Sequence, residues 1–483
     1  MQDRKSETNT EATEYVVEAS EITWDVETDI LVAGGGGAGL TAALAASQET
    51  DATITVLEKE PHVGGNTAIS SGMYPAAGTR LQREHDIEDT PDQFASDILA
   101  TNGFEADEQF VRTLAEQSAE LVHWMIDDWD IHWELDTEFT YPNHSAHRFH
   151  AVDGGSGRVL VEELSERVTR TDNIEILVNT PVRTLVVDDG RVCGVVAGKK
   201  DEETIESSAV ILATDGFGAN TRMLEEWCER AADALYGGAD GNTGDGITVG
   251  AEAGGDLAYM DSYQAHATWT DAGIKSPYAI ELHGGIIVGE RGTRIGNEAI
   301  GPTDFAVCLL DEPDHTGYEI FDQRIYDLAL AQFATFEQAI EQNVYTAGDT
   351  LEELGSALGI DEKGLQRTVE SYNRAIRNGE ADTVGRTAFR HELTPPFYGA
   401  KIRPAVEQTQ GGLVVDTDAR VLRTDGTPIE NLYAAGGAAM GISGHGPTGY
   451  LPGNGLTTAL GLGRIAGIAA HRTIEEETAE RER

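Results

Sequence analysis

The sequence predicts an α/β protein, a parallel sheet layered with helices, into which an α+β capping unit is inserted. Three observations predict it. A short apolar strand, Thr28 to Ala33, runs into the glycine-rich segment Gly34-Gly35-Gly36-Gly37-Ala38-Gly39 and then into a small-residue helix, Leu40 to Ser47. Further apolar strands, Ala52 to Leu57 and Ala209 to Ala213, repeat the strand-then-turn pattern. Between about Asp261 and Gln408 that alternation gives way to helical patterning.

Taken in order, residues 1–25 are polar and acidic and read as a disordered tail, too poor in apolar surface to offset the entropy of ordering. The strand ending at Ala33 is apolar on both faces, as a buried parallel strand requires. Gly34, Gly36 and Gly39 then occupy the positions of a GxGxxG turn. The first allows the tight turn, the second lets a pyrophosphate approach the backbone, and the third lets helix and strand pack closely. Gly37 and Ala38 open the helix, whose N-terminus faces the anion. The second strand ends in Glu58, placed to accept the ribose hydroxyls of an adenosine, and Lys59 follows it. At this point NAD and FAD both remain open. The continuation through Gly64-Gly65-Asn66-Thr67 to Ser70-Ser71-Gly72 is a second glycine turn with small polar side chains. It suits a backbone lying against a ribityl chain and flavin ring, so the expected unit is a Rossmann-like FAD-binding domain.

With 483 residues the chain is expected to form two or three units. It has no stretch of apolar residues long enough to span a membrane and no basic-then-apolar leader, which places it in the cytoplasm. Cys193, Cys228 and Cys308 form no CxxC or CxxCH, so a disulfide framework, an iron–sulfur cluster and c-type haem are not expected. The formal charge of -50 argues against nucleic acid and anionic membrane as partners. Lysine is confined to positions 5, 59, 199, 200, 275, 363 and 401. Such a surface fits a halophilic protein working in molar salt, where a Debye length of ~3 Å screens self-repulsion. The melting temperature is therefore expected to be lower in 0.1 M than in 2 M potassium chloride; equal values would leave only an acidic protein with a solvated charged face.

In the middle segment, Thr350 and Glu353 form a capping box that opens a helix, and Lys363 to Arg377 has amphipathic spacing that stops before Gly379. Sequence of the first kind resumes at Gly411-Gly412-Leu413-Val414. The expected division is a tail at 1–25, an FAD-binding domain from 26–260 and 409–473, a capping domain at 261–408, and a charged tail at 474–483.

These residues together resemble the flavoprotein family of fumarate reductases, succinate dehydrogenases and 3-ketosteroid dehydrogenases. The resemblance covers nearly all of the chain after residue 26 and includes Ala213-Thr214-Asp215-Gly216, Asn431 to Gly436, and Gly453-Asn454-Gly455 onward. It implies a hydride exchanged between flavin N5 and a carbon–carbon bond beside a carbonyl, with the middle domain as a mobile clamp over the flavin. The cofactor-binding set it implies adds Val182, Ala213, Thr214, Asp215, Gly216, Gly436, Gly437, Gly455 and Leu456 to the residues above. The helix starting near Gly455 is expected to aim its N-terminus at the flavin pyrimidine, where charge gathers on reduction. Two departures stand out. Gly437 replaces the family's acid, and Asn66 lies where succinate dehydrogenases carry the histidine that bonds to flavin, so non-covalent FAD is expected.

For the substrate, Gln264-Ala265-His266-Ala267-Thr268 matches the family's Gln-x-His-Pro-Thr, and Glu298 matches the segment with the proton-relay glutamate. The second family histidine falls at Gln408, the carboxylate-clamping arginine at Tyr450, and the proton-donating arginine at Tyr326, with Arg324 two residues away. Tyr450 and the Gly455 amide match the ketosteroid pair that holds a 3-keto group. Losing the arginine costs a dicarboxylate ~1.5 to 3 kcal/mol of charge-assisted binding, whereas a phenol and an amide suit an enolate oxygen. Each residue has a plainer reading: His266 as a core histidine, Tyr450 as packing, Glu298 as the partner of Arg294. The spaced His144, His147 and His150 lack thiolate or carboxylate company, so no metal is expected; with Arg148 and Gly154-Gly155-Ser156-Gly157 they are placed on the substrate side. The expected function is an enone reductase or ketosteroid dehydrogenase-like enzyme. Alternatives are a dicarboxylate-specific fumarate reductase or succinate dehydrogenase, and a flavin electron-transfer subunit. Electrons would pass to a separate protein, a quinone, oxygen or a dye-like acceptor.

Overall fold

The computed structural model describes residues 15–48, 50–138, 140–152, 156–388 and 390–481. Most of the expected N-terminal tail, and Gly154-Gly155 of the expected substrate loop, lie outside the described residues.

Among the described residues the larger sheet has nine strands. Its centre is parallel: Glu203–Leu212, Val26–Ala33, Ile54–Glu58 and Ile174–Val178 lie side by side, with Ile211 opposite Val32 and Val32 opposite Val56. These strands are apolar on both faces because helices cover both, and Ile30, Leu31, Val32, Val210, Ile211 and Leu212 are all fully buried. Pro428–Ala434 adds a parallel strand beside the end of Glu203–Leu212. The helix Gly37–Ala46 packs against the C-terminal helix Leu462–Arg481 through faces of alanine and glycine. Small residues are needed there, since a Cβ at Gly463 would stand 2.5 Å from the Ala38 carbonyl oxygen and one at Gly467 2.2 Å from that of Ala42.

The described parts of both expected tails contain regular structure. Val16–Glu18 pairs in parallel with Leu185–Val187, because β-branched Val16 and Val17 extend the sheet where disorder was expected up to residue 25. At the other end the helix continues through 474 to Arg481, aided by a His471–Glu475 contact of 3.5 Å one turn apart.

The second sheet has six strands and is organised by one long strand, Phe397–Thr409. Leu235–Tyr236, Tyr263–Thr270, Gly317–Asp322 and Thr346–Gly348 all pair with it. The helices around this sheet follow the sequence signals: Thr350 accepts the Glu353 amide at 3.2 Å and opens Leu351–Leu358, while Glu362–Asn378 ends at Gly379 in the left-handed region (φ 69°). Strand Phe397–Thr409 runs back into the larger unit, where the Thr409 hydroxyl accepts the Phe217 amide at 3.0 Å. It thereby carries residues 407 and 408 to the cofactor side of the molecule.

Candidate active site

The first glycine turn is built as its sequence demands. A Cβ at Gly39 would stand 1.9 Å from the Gly34 carbonyl oxygen, and Gly34 itself has φ 114°. Gly36 differs, because a Cβ there would meet nothing nearer than the Gly64 oxygen at 3.7 Å. No protein contact explains that glycine; close approach of a ligand does. Gly36 and Gly64 form a parallel bridge, so the two glycine turns abut and make one cradle. Gly37 donates its amide to the Thr67 hydroxyl at 3.3 Å, and Gly65 also lies open, 3.8 Å from Gly36 Cα. Ala38 is buried beneath the turn, and Gly72 (φ 71°) packs where its Cβ would meet the Gly157 nitrogen at 2.6 Å. Ser71 is exposed.

Glu58 is buried and accepts the amides of Gly35 at 2.8 Å and Glu60 at 2.7 Å, which pins the carboxylate beside the turn with lone pairs left for ribose hydroxyls. Lys59 is engaged across the site by Thr243 and Asp245, each at 2.7 Å. Asn66 accepts the Ala239 amide at 2.8 Å and donates to the Glu407 carbonyl at 3.3 Å, joining the cradle to strand Phe397–Thr409.

At the far strand ends, Ala213 donates to the Ala33 carbonyl at 2.7 Å and the Thr214 hydroxyl accepts the Gly246 amide at 3.0 Å. Asp215 holds φ 64° and accepts the Gly216 amide and Asn242; burial pushes its carboxyl above the usual range. Gly437, where the family's acid was absent, has a structural reason: a Cβ there would stand 2.3 Å from Asp215 Oδ1. The carboxylate at this point belongs to Asp215, and Gly436 (φ 62°) turns the chain above Ala38. Val182 is half-buried at the start of Val182–Asp188, and Leu456 is buried in the helical segment that begins at Asn454. That segment passes through a π-helical turn, Thr457–Gly461, into the C-terminal helix. The fit to FAD is therefore good: an open Gly36 that no protein contact explains, a pinned carboxylate and a helix start.

On the substrate side the structure joins Gln264, Gln408, Tyr450 and Gly455. Gln264 and Gln408 face each other across paired strands. Glu407 can only accept, and it takes the Gln264 Nε2 hydrogen at 3.0 Å; this fixes Gln264 Oε1 as the acceptor for Gln408 Nε2 at 2.7 Å. Gln408 Nε2 and the Gly455 amide then both approach the Tyr450 oxygen as donors, at 3.4 and 3.5 Å. With its lone pairs addressed, the phenol is left with its own hydrogen to donate outward. Burial raises the Tyr450 phenol well above its ordinary range, opposed by the Gly455 amide, so it stays protonated.

His266 sits on the neighbouring strand, its ring edge-on to Tyr278 at 5.9 Å between centroids. Burial pushes it down to about 4, so it is neutral at physiological pH. The Thr268 amide donates to Nδ1 at 3.3 Å, while the Thr268 hydroxyl gives its proton to the Ser276 carbonyl at 2.7 Å. The Thr268 hydroxyl oxygen also lies 3.2 Å from Nδ1. His266 is thus a neutral imidazole held against Thr268.

The other expected residues lie elsewhere. Glu298 is fully buried, ion-paired with Arg294 and with Arg386 at 3.0 Å, and accepts the Ile287 amide at 2.8 Å. Its link to the site is indirect, through its carbonyl and the Tyr278 hydroxyl at 2.9 Å. Arg324 is exposed and bonds the His283 carbonyl at 2.6 Å; Tyr326 packs tilted against Tyr398 at 4.6 Å and edge-on to Phe336 at 5.2 Å. None of these contacts includes Tyr450.

His144 and His150 have protein partners: His144 Nε2 meets the Pro452 carbonyl at 2.9 Å and His150 Nε2 the Thr79 hydroxyl at 2.9 Å. Arg148, fully buried against Asp89 and Asp97, anchors this loop, which braces the 449–455 turn through His144. Sequence reasoning missed the Lys275–Glu407 ion pair, 2.8 Å long and beside Gln264. The rarity of lysine in this chain was its available signal. It also missed Glu281 and Glu319, two fully buried carboxyls described below.

Comparison with known proteins agrees with this geometry. The FAD binding domain family matches residues 29–456. A fumarate reductase (cytochrome) of Shewanella frigidimarina is 30% identical over 92% of this chain and 76% of its own length. A urocanate reductase of Eggerthella lenta is 30% identical over 93% of this chain and 75% of its own. Among solved structures, the open conformation of a flavocytochrome c3 fumarate reductase superposes with TM-score 0.81 at 29% identity, covering 94% of this chain and 80% of that one. A 3-ketosteroid-Δ4-(5α)-dehydrogenase from Rhodococcus jostii RHA1 superposes with TM-score 0.76 at 28% identity, covering 94% and 99%. No helix among the described residues is long and apolar enough to cross a membrane. The chain is an FAD-dependent oxidoreductase of CH–CH groups and belongs to the fumarate reductase/succinate dehydrogenase flavoprotein superfamily.

Proposed function

We propose that this enzyme exchanges a hydride with a carbon–carbon bond α,β to an uncharged carbonyl, as in enone reduction or ketone desaturation. The observation that carries this reading is the convergence on Tyr450: two donors approach its oxygen, and its own proton is left to donate. Bound FAD supplies the hydride acceptor and donor. The protein's part is to hold the carbonyl. The Tyr450 hydroxyl donates to the oxygen as it takes on enolate charge, while the Gly455 amide holds the phenol in place for that donation, and His266 is a polar neighbour that carries no charge of its own. Gly34, Gly36, Gly39 and Glu58 would hold the adenosine and pyrophosphate, and the helix start near Gly455 the pyrimidine end. The FAD is held without a covalent bond in this reading, because the Asn66 carboxamide offers no nucleophile where a histidine would.

Residues 26–260 with 409–473 act as the cofactor domain and 261–408 as the cap, a reading supported by the two separate sheets apart from Leu235–Tyr236, which joins the second sheet from the first segment. Electrons are exchanged with an outside partner, and the acidic surface supports work in a high-salt cytoplasm. Tyr326, Arg324 and Glu298 would reach the substrate only through movement of the cap.

A dicarboxylate substrate is the second reading, favoured by the similarity to fumarate reductases. Reduced enzyme offered fumarate and 2-cyclohexenone in competition is expected to be reoxidised faster by the enone. Faster reoxidation by fumarate, unaffected by Tyr450→Phe, overturns the ketone reading.

A further inference from the structure

Resting on that reading of the site, we propose that Glu407 sets the substrate charge the pocket accepts, by neutralising Lys275. Lys275 follows the reversal at the end of strand Tyr263–Thr270, where Trp269 and Lys275 form an isolated bridge. Its ammonium lies 2.8 Å from Glu407 Oε1; the Glu407 side chain is 16% exposed and that of Lys275 34%. The pair is part of the substrate wall. Glu407 Oε2 holds Gln264, which holds Gln408, which reaches Tyr450. Both charges act on His266, and both act on Tyr141 of the loop opposite.

The two charges hold each other in their ionised forms. Burial works against the Lys275 ammonium, but Glu407 outweighs it and the group titrates above its ordinary value; the Glu407 carboxyl is correspondingly held below its own. The pair is therefore neutral as a whole, with its cation already satisfied. A carboxylate arriving beside His266 gains nothing from Lys275 and meets Glu407 as a like charge, whereas a ketone is indifferent to both. Glu407→Gln keeps an acceptor for the ammonium while removing the charge, and Lys275 then faces the pocket uncompensated. One free cation suits one carboxylate, so the gain should appear with a monocarboxylate.

The test compares trans-2-butenoate with 2-cyclohexenone as oxidants of the reduced holoenzyme. In Glu407→Gln, the ratio of kcat/KM for butenoate to that for cyclohexenone should rise at least about tenfold over the wild type, the scale of one charge-assisted bond. Removing the cation as well, in Lys275→Met/Glu407→Gln, should return the ratio to the wild-type value. The flavin absorbance spectrum reports that each variant keeps its site. An unchanged ratio in Glu407→Gln, or a gain that survives in the double variant, overturns the proposal. Should either variant lose its flavin, Lys275→Met/Glu407→Leu removes both charges together: a wild-type ratio supports the proposal and a raised one overturns it. The wild-type competition with fumarate judges the ketone reading separately, so the two failures are distinguishable.

Discussion

Replacing Tyr450 by phenylalanine is expected to lower kcat for enone reduction by about 10²- to 10³-fold, with little change in KM. The phenol donates to an oxygen that becomes more negative as the hydride moves, so its bond strengthens in the transition state and costs little affinity when lost. The substitution leaves Gln408 Nε2 and the Gly455 amide without their shared acceptor, but both approaches are long, at 3.4 and 3.5 Å. Fold and flavin binding should survive. The phenol is raised by burial, so its contribution should show no alkaline limb across the ordinary assay range. Anaerobic stopped-flow reoxidation by 2-cyclohexenone measures the effect; a loss of less than about threefold would return Tyr450 to a packing role.

Replacing Glu319 by glutamine is expected to stabilise the protein, and increasingly so as pH rises from about 5 to 8. Glu281 and Glu319 are fully buried, and no other group donates to Glu281 Oε1, Glu281 Oε2 or Glu319 Oε1, so the hydrogen bond between the two carboxyls requires a retained proton. Ser276 donates to Glu319 Oε2 at 3.0 Å and lies 2.9 Å from the Tyr345 hydroxyl. Burial pushes the Glu319 carboxyl up to about 8, and burial together with Glu319 pushes Glu281 well above its ordinary value. Two carboxyls so placed cannot both ionise and retain protons that exposed ones would lose.

The folded chain then binds more protons than the unfolded one between the ordinary carboxyl value and about 8. Stability must fall as pH rises through that window. Each unit contributes up to about 1.4 kcal/mol, so the loss amounts to a few kcal/mol. Glutamine accepts from Ser276 without titrating and removes much of the slope. Melting curves from pH 5 to 9 should show wild type and variant diverging by several degrees at pH 8. Parallel curves would mean that the pair is not held protonated.

The cofactor half was legible because its physics is local. A turn at φ 114° needs glycine at position 34, a helix packed onto that turn needs glycine at 39, and the acid closing the next strand falls a fixed distance on. The helix opened by Thr350 and the one ended by Gly379 were readable for the same reason, since capping is settled within one turn. Val16 and Val17 escaped because an edge strand of three residues is stabilised only by a neighbour far along the chain.

What the sequence by itself determined is the α/β framework, its glycine cradle and the chemistry class of the residues offered to the substrate. What only the tertiary structure decided is which of them meet. Tyr450, Gln408, Gln264, Glu407 and Lys275 are gathered by one long strand pairing with another across 144 positions, while Glu298 is bound by Arg386 from 88 positions away. The spacing of residues governs a turn or a cap; the partners of a buried charge depend on which distant segments the core brings against it.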